Sequence, residues 1–111
     1  FDLGIKDRDK EKIAKLNKGE IVISREPGNS MVPLLKSRQA VKLAPVKLED
    51  IKVGDIVYCR VRGKNVTHLV TALDPRKGCQ ISNNQGFVNG WTKQIHGKVI
   101  EILQEGKDQK Q

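Results

Sequence analysis

Two runs, IVYCRVR at 56–62 and NVTHLVTAL at 65–73, constrain the fold more than any other feature of the 111-residue chain. Both are rich in β-branched residues, and Gly63 and Lys64 separate them, with glycine first as a tight type II′ turn requires. That turn sets Arg62 opposite Asn65, Val61 opposite Val66, Cys59 opposite His68 and Val57 opposite Val70. The two-residue period of a strand then gathers Val57, Cys59, Val61, Val66, His68 and Val70 on one mainly apolar face. His68 is therefore either a hydrogen-bonded core residue or an active-site base held at the edge of the core.

The rest of the chain supplies short elements around this hairpin. EIVIS at 20–24 reads as the first strand. VKLAPV at 41–46 reads as an edge or irregular strand, because Pro45 cannot donate to a ladder. CQIS at 79–82 is a short strand, NNQGFVNGWT at 83–92 holds too many turn formers for a long element, and a final strand carrying VIEIL begins near Lys98. Upstream, Asp7 or Asp9 caps a short helix through Asn17, with Ile13 and Leu16 as its apolar patch and Gly19 at its end. One Trp, one Tyr and two Phe leave the core to Val, Ile and Leu. The predicted fold is mostly β: a single compact domain of coiled antiparallel sheets with a short N-terminal helix. Residues 1–18 form the extension or helix, 19–103 the β domain and 104–111 a polar tail.

Lys and Arg number 21 against 13 Asp and Glu, a formal charge of +8. The excess attracts nucleic acid, anionic lipid or acidic protein without selecting among them. It is dispersed over KDRDKEK, LKSR, DPRKG and EGKDQK, with no compact aromatic and basic platform. No apolar stretch has the length of a membrane span, so the expectation is a soluble chain without an integral membrane segment, cytoplasmic or virion-associated. Cys59, His68, Cys79 and His96 lack the paired spacing of a zinc module, and neither a phosphate-binding loop nor a dinucleotide fingerprint is present. No metal or cofactor is expected.

Ser30 lies in GNSMVP, where Gly28 and Asn29 allow a tight turn that exposes a hydroxyl beside main-chain donors. A hydroxyl becomes a nucleophile only when a base takes its proton and N–H groups receive the charge developing on a carbonyl. His68 is the leading base, since neutral imidazole is available near physiological pH. Its second ring nitrogen needs an orienting partner, for which Asn83, Asn84 and Asn89 offer amide oxygens and Asp55 and Asp74 carboxylates. Gly54 and Asp55 read as a structural turn into a strand, Gly63 as the hairpin turn, and His96 beside Gly97 as the start of a structural strand. Met31 either lines a substrate groove or anchors the core. Trp91 either meets a partner or fastens its loop to the sheet.

The order of these segments resembles the LexA-like and signal-peptidase-like serine peptidase superfamily. GNSMVPLL at 28–35 is similar to its serine box and VGDIVYCRV at 53–61 to its central strand. THLVTAL at 67–73 falls where the family places its base, and HGKVIEIL at 96–103 resembles the closing strand, so the resemblance spans roughly residues 19–103. It implies a peptidase domain of coiled β-sheets with Ser30 as nucleophile. His68 is then the base, as in signal peptidases of the endoplasmic-reticulum type. SNNQGFVNGW at 82–91 looks like the acidic loop of those enzymes, with Asn83 and Asn89 at its acidic positions. The expected activity is cleavage or self-processing of a peptide bond in a peptide or protein substrate. The alternatives are a noncatalytic phage or bacterial assembly domain on the same fold, and a basic nucleic-acid-binding protein.

Overall fold

The computed structural model describes residues 7–25 and 40–103. Ser30, with its neighbours Gly28 and Met31, lies outside the described residues, as does the tail predicted at 104–111. A helix, α1 (Asp7–Asn17), precedes β1 (Val22–Arg25) and β2 (Ala40–Ala44). A single 3-10 turn at Leu48–Asp50 then leads to β3 (Ile56–Val61), β4 (Lys64–Asp74), β5 (Gly78–Ser82), β6 (Val88–Thr92) and β7 (Ile95–Ile102). The seven strands form one sheet in the order β1-β2-β7-β3-β4-β5-β6, and every pairing is antiparallel. The protein is thus mostly β with one short N-terminal helix, as predicted.

The β3–β4 hairpin forms, but its turn lies one residue earlier than expected. Val61 pairs with Lys64 across Arg62 and Gly63. Both turn residues have positive φ, 52° and 80°, the backbone of a type I′ turn, whose twist matches that of the flanking strands. Gly63 adopts this conformation freely, whereas Arg62 does so at a cost of about 1 kcal/mol. Cys59 therefore faces Val66, and His68 faces Val57 rather than Cys59. The partner of each residue changes by two positions, so the parity of the strand is unchanged. Val57, Cys59, Val61, Val66 and Val70 still share one apolar cluster, joined by Ile51, Cys79, Ile81, Val46 and Ile95.

The β6 end of the sheet curls back onto β3 around this cluster. β6 runs into β7 through Lys93 and Gln94, and β7 pairs with β3. At the bend the Thr92 hydroxyl donates to the Arg60 carbonyl (2.7 Å) and the Arg60 N–H donates to the Gln94 carbonyl (3.0 Å). β3, β4, β5 and the continuous β6–β7 segment thereby enclose a small interior of branched aliphatic side chains and two thiols. Gly78 permits the close approach of β5 to this bend: a β carbon there would collide with the Thr92 carbonyl oxygen.

A second cluster lies on the outer face, where Leu16 of α1 packs with Val22, Val41, Leu43 and Tyr58. Gly97 makes room for it, because a β carbon at 97 would meet the Ala44 carbonyl at 3.0 Å and the Leu16 methyls at 3.1 and 3.2 Å. Asp9 lies within α1, and its carboxylate accepts the Tyr58 hydroxyl at 2.7 Å. Of the edge or irregular strand expected at 41–46, the edge is corrected: β2 is internal, between β1 and β7, and ends at Ala44, while its pairing with β7 is irregular, the register shifting between Lys42 and Leu43. Pro45 falls just beyond it, so its missing N–H costs the ladder nothing. β7 likewise starts at Ile95, ahead of the predicted Lys98, and the turn-rich stretch 83–92 ends in a true strand, β6.

Candidate functional site

Among the described residues four stand outside the sheet's regular ladders, and two of them, Asn89 and His96, bring histidines to polar partners. Between β5 and β6, Ile81 pairs with Gly90 and Ser82 with Val88, leaving Asn89 as the extra residue of a β-bulge. Between β3 and β7, Tyr58 pairs with Gly97 and Cys59 with Ile95, leaving His96. Thr71 and Ile100 are the corresponding residues of β4 and β7. A bulge releases one side chain from strict alternation and re-aims it.

Asn89 is aimed at His68. Its side-chain oxygen lies 3.0 Å from His68 Nδ1, bridging from β6 to β4 past the intervening β5. His68 is only 9% exposed and shares the face of Val66 and Val70. An amide oxygen carries no proton, so Nδ1 donates and the basic lone pair resides on Nε2. This is the tautomer that a nucleophile's general base requires.

The other proposed orienting residues serve their own turns. Asn83 Oδ1 accepts the N–H groups of Gln85 (2.8 Å) and Phe87 (3.0 Å), and its N–H donates to the Phe87 carbonyl (2.9 Å). Asn84 sits within that same turn. Asp55 accepts the Lys52 N–H at 2.8 Å and pairs with Lys98 at 3.5 Å. Beside it, Gly54 has φ 101° and donates its N–H to the Val70 carbonyl at 2.8 Å. Asp74 caps the β4–β5 turn, and the N–H groups of Arg76 and then Lys77 hold its carboxyl below the usual range.

Trp91 pairs with Gln80 on the outer face of β5–β6, opposite the side of Ile81, and Lys77 Nζ lies 5.3 Å from its ring centroid. It is therefore turned away from His68. Cys59 and Cys79 are buried free thiols. Burial foremost, with Cys79 nearby, pushes Cys59 up to about 12. Burial also raises Cys79, with Asp55 adding to it. Both remain neutral thiols, poor as nucleophiles and as metal ligands.

The second polar site is one the sequence did not disclose. His96 Nε2 lies 3.0 Å from Asn65 Oδ1, and its ring stacks at a tilt on Tyr58, centroids 5.2 Å apart. Lys12 Nζ lies 4.7 Å from the centroid of the Tyr58 ring, 3.8 Å from Asp9 and 2.8 Å from the Ser24 hydroxyl, to which it donates. Burial, followed by the Arg60 charge, lowers the His96 pKa, with Asp9 opposing. This network fastens α1 to the sheet. Lys12 and Ser24 thus form a serine–lysine contact beside the Asp9 carboxylate and the Tyr58 ring. No long-range pairing of this kind is written in local periodicity, since Asp9 and Tyr58 are 49 residues apart.

No protein family, no curated protein and no solved structure matches this chain.

Proposed function

We propose that the chain is a serine-peptidase-like domain in which His68, oriented by Asn89, serves as general base for Ser30. The hydrogen bond from His68 Nδ1 to Asn89 Oδ1 carries the reading. A buried histidine fixed in the Nδ1–H tautomer is poised to accept a proton through Nε2 and return it to a leaving amine. Ser30 lies on the segment joining Arg25 to Ala40, two residues that pair with each other at one end of β1 and β2. In the proposed reaction Ser30 Oγ attacks a peptide carbonyl while His68 takes its proton, and the Ser30 N–H helps to hold the oxyanion. Water, again activated by His68, then releases the acyl group. The role is that of a soluble phage or bacterial accessory peptidase, or of a product that processes its own precursor. Among the described residues no helix is long and apolar enough to cross a membrane.

A second reading, an assembly domain on an inherited fold, is favoured by the sheet's edge. β1 is terminal in the strand order, and Ile21 and Ile23 on or beside it are more than half exposed. Mass spectrometry of the intact protein and a diverse peptide library distinguishes the two, with Ser30→Ala and His68→Ala as controls. Cleavage lost in both variants supports the dyad. Cleavage that persists in either, or correctly folded wild type that neither cleaves nor is acylated at serine, removes it.

A further inference from the structure

Asn89 is followed by Gly90, and no other asparagine of the chain precedes a glycine. We propose that Asn89 is a self-modifying residue, which the fold converts to aspartate by deamidation at the His68 contact. Three observations converge on it. Gly90 has no β carbon, so its amide nitrogen can approach the preceding side chain without steric block. Asn89 is the extra residue of its bulge, outside the regular pairing of β5 with β6. His68 donates to the Asn89 amide oxygen at 3.0 Å, which draws electrons from Cγ and stabilises the negative charge that an attack places on that oxygen.

The Gly90 nitrogen gives up its proton to a solvent base and forms a bond to Asn89 Cγ. The bond from Cγ to the side-chain nitrogen then breaks, and that nitrogen takes up a proton and departs as ammonia, leaving a cyclic imide. One water adds to Cγ and breaks the new bond to the Gly90 nitrogen, restoring the main chain with a carboxylic acid at position 89. The net change is one water consumed and one ammonia released, with no oxidant or reductant. The product carboxylate lies against His68. A neutral asparagine–histidine pair becomes an ion-pairing aspartate–histidine pair, the arrangement that supports an imidazolium in acyl transfer.

The chemistry needs only Asn89, Gly90, His68 and water; its meaning for hydrolysis rests on the peptidase reading above. The test ages the full chain in mildly alkaline buffer and follows each asparagine by peptide mapping, in the native protein and in urea. Asn89 is expected to convert faster than Asn83 and Asn84, and faster in the native chain than in the unfolded one. It should also convert about tenfold or more faster in native wild type than in His68→Phe. The aged protein should reproduce the His68 ring NMR signals of Asn89→Asp and depart from those of fresh wild type. A native rate no greater than the unfolded rate overturns the proposal without recourse to any variant. So does a rate indifferent to His68, or a product that is isoaspartate alone. None of these readouts uses peptidase activity, so an Asn89→Asp protein that shows the aged protein's ring signals and cleaves nothing would refute the dyad and leave this inference standing.

Discussion

Replacing Asn89 with leucine removes the hydrogen bond it makes with His68 at nearly constant volume. His68 is buried on the inner face, and losing a hydrogen bond from a buried donor costs about 1–3 kcal/mol. Asn89 is itself half-buried, so water reaches the ring from that side and the lower part of the range applies, about 1–1.5 kcal/mol. For a chain of this length that corresponds to a fall in Tm of about 4–8 °C, and the urea midpoint should drop with an unchanged slope. The imidazole also loses the interaction that selects its tautomer. Nitrogen NMR of the ring should show the proton redistributing from Nδ1 toward Nε2, and any peptidase kcat should fall about tenfold to a hundredfold. Stability within about 0.3 kcal/mol of wild type, together with an unchanged ring tautomer, would refute the orienting role of Asn89.

Acid sensitivity should originate at His96. Its pKa is lowered in the folded state by burial and then by Arg60, so the unfolded chain takes up the proton first as pH falls below the reference 6.5. The stability contributed by neutral His96 is therefore complete above that value and lost progressively below it. His96→Gln keeps a donor for Asn65 and should flatten this fall, as read by urea midpoints across the pH series; an identical pH profile counts against it. Gly97→Ala should cost about 2–3 kcal/mol, because its methyl group meets the Ala44 carbonyl and both Leu16 methyls at once. Amide exchange in α1 should accelerate selectively, and a variant with wild-type protection in the helix would show that Gly97 does not gate its docking.

The faces of β3 and β4 were legible in the sequence because alternation is local. Even with the turn misplaced, Val57, Cys59, Val61, Val66 and Val70 come together, since a two-residue slip preserves parity. The turn itself was not legible because it places arginine, a residue with a β carbon, at positive φ, where sequence reasoning favours glycine. Pro45 misled the reading of β2: a proline inside a strand marks an edge, but one just after its end marks nothing. Asn89 was named among three asparagines that could orient His68, and only the bulge, a disagreement in count between two neighbouring strands, distinguishes it. His96 does lie at the start of a strand, as its neighbourhood indicates, but the bulge that frees its ring had no local signal. The tie between Asp9 and Tyr58 depends on how the helix docks and had no local signal.

The extra residues at 71, 89, 96 and 100 have a consequence for how such a sheet changes over evolutionary time. A residue within a ladder is bound by its neighbours' inward and outward orientation, so a new chemistry there competes with the core. A bulged residue is already released from that alternation. Position 89 can therefore sample asparagine, aspartate or histidine against His68 while Ile81, Val70 and Val57 keep their packing. Variation of the polar site is in this way uncoupled from the inheritance of the fold, and the same sheet can acquire or lose a reaction by substitution at one residue.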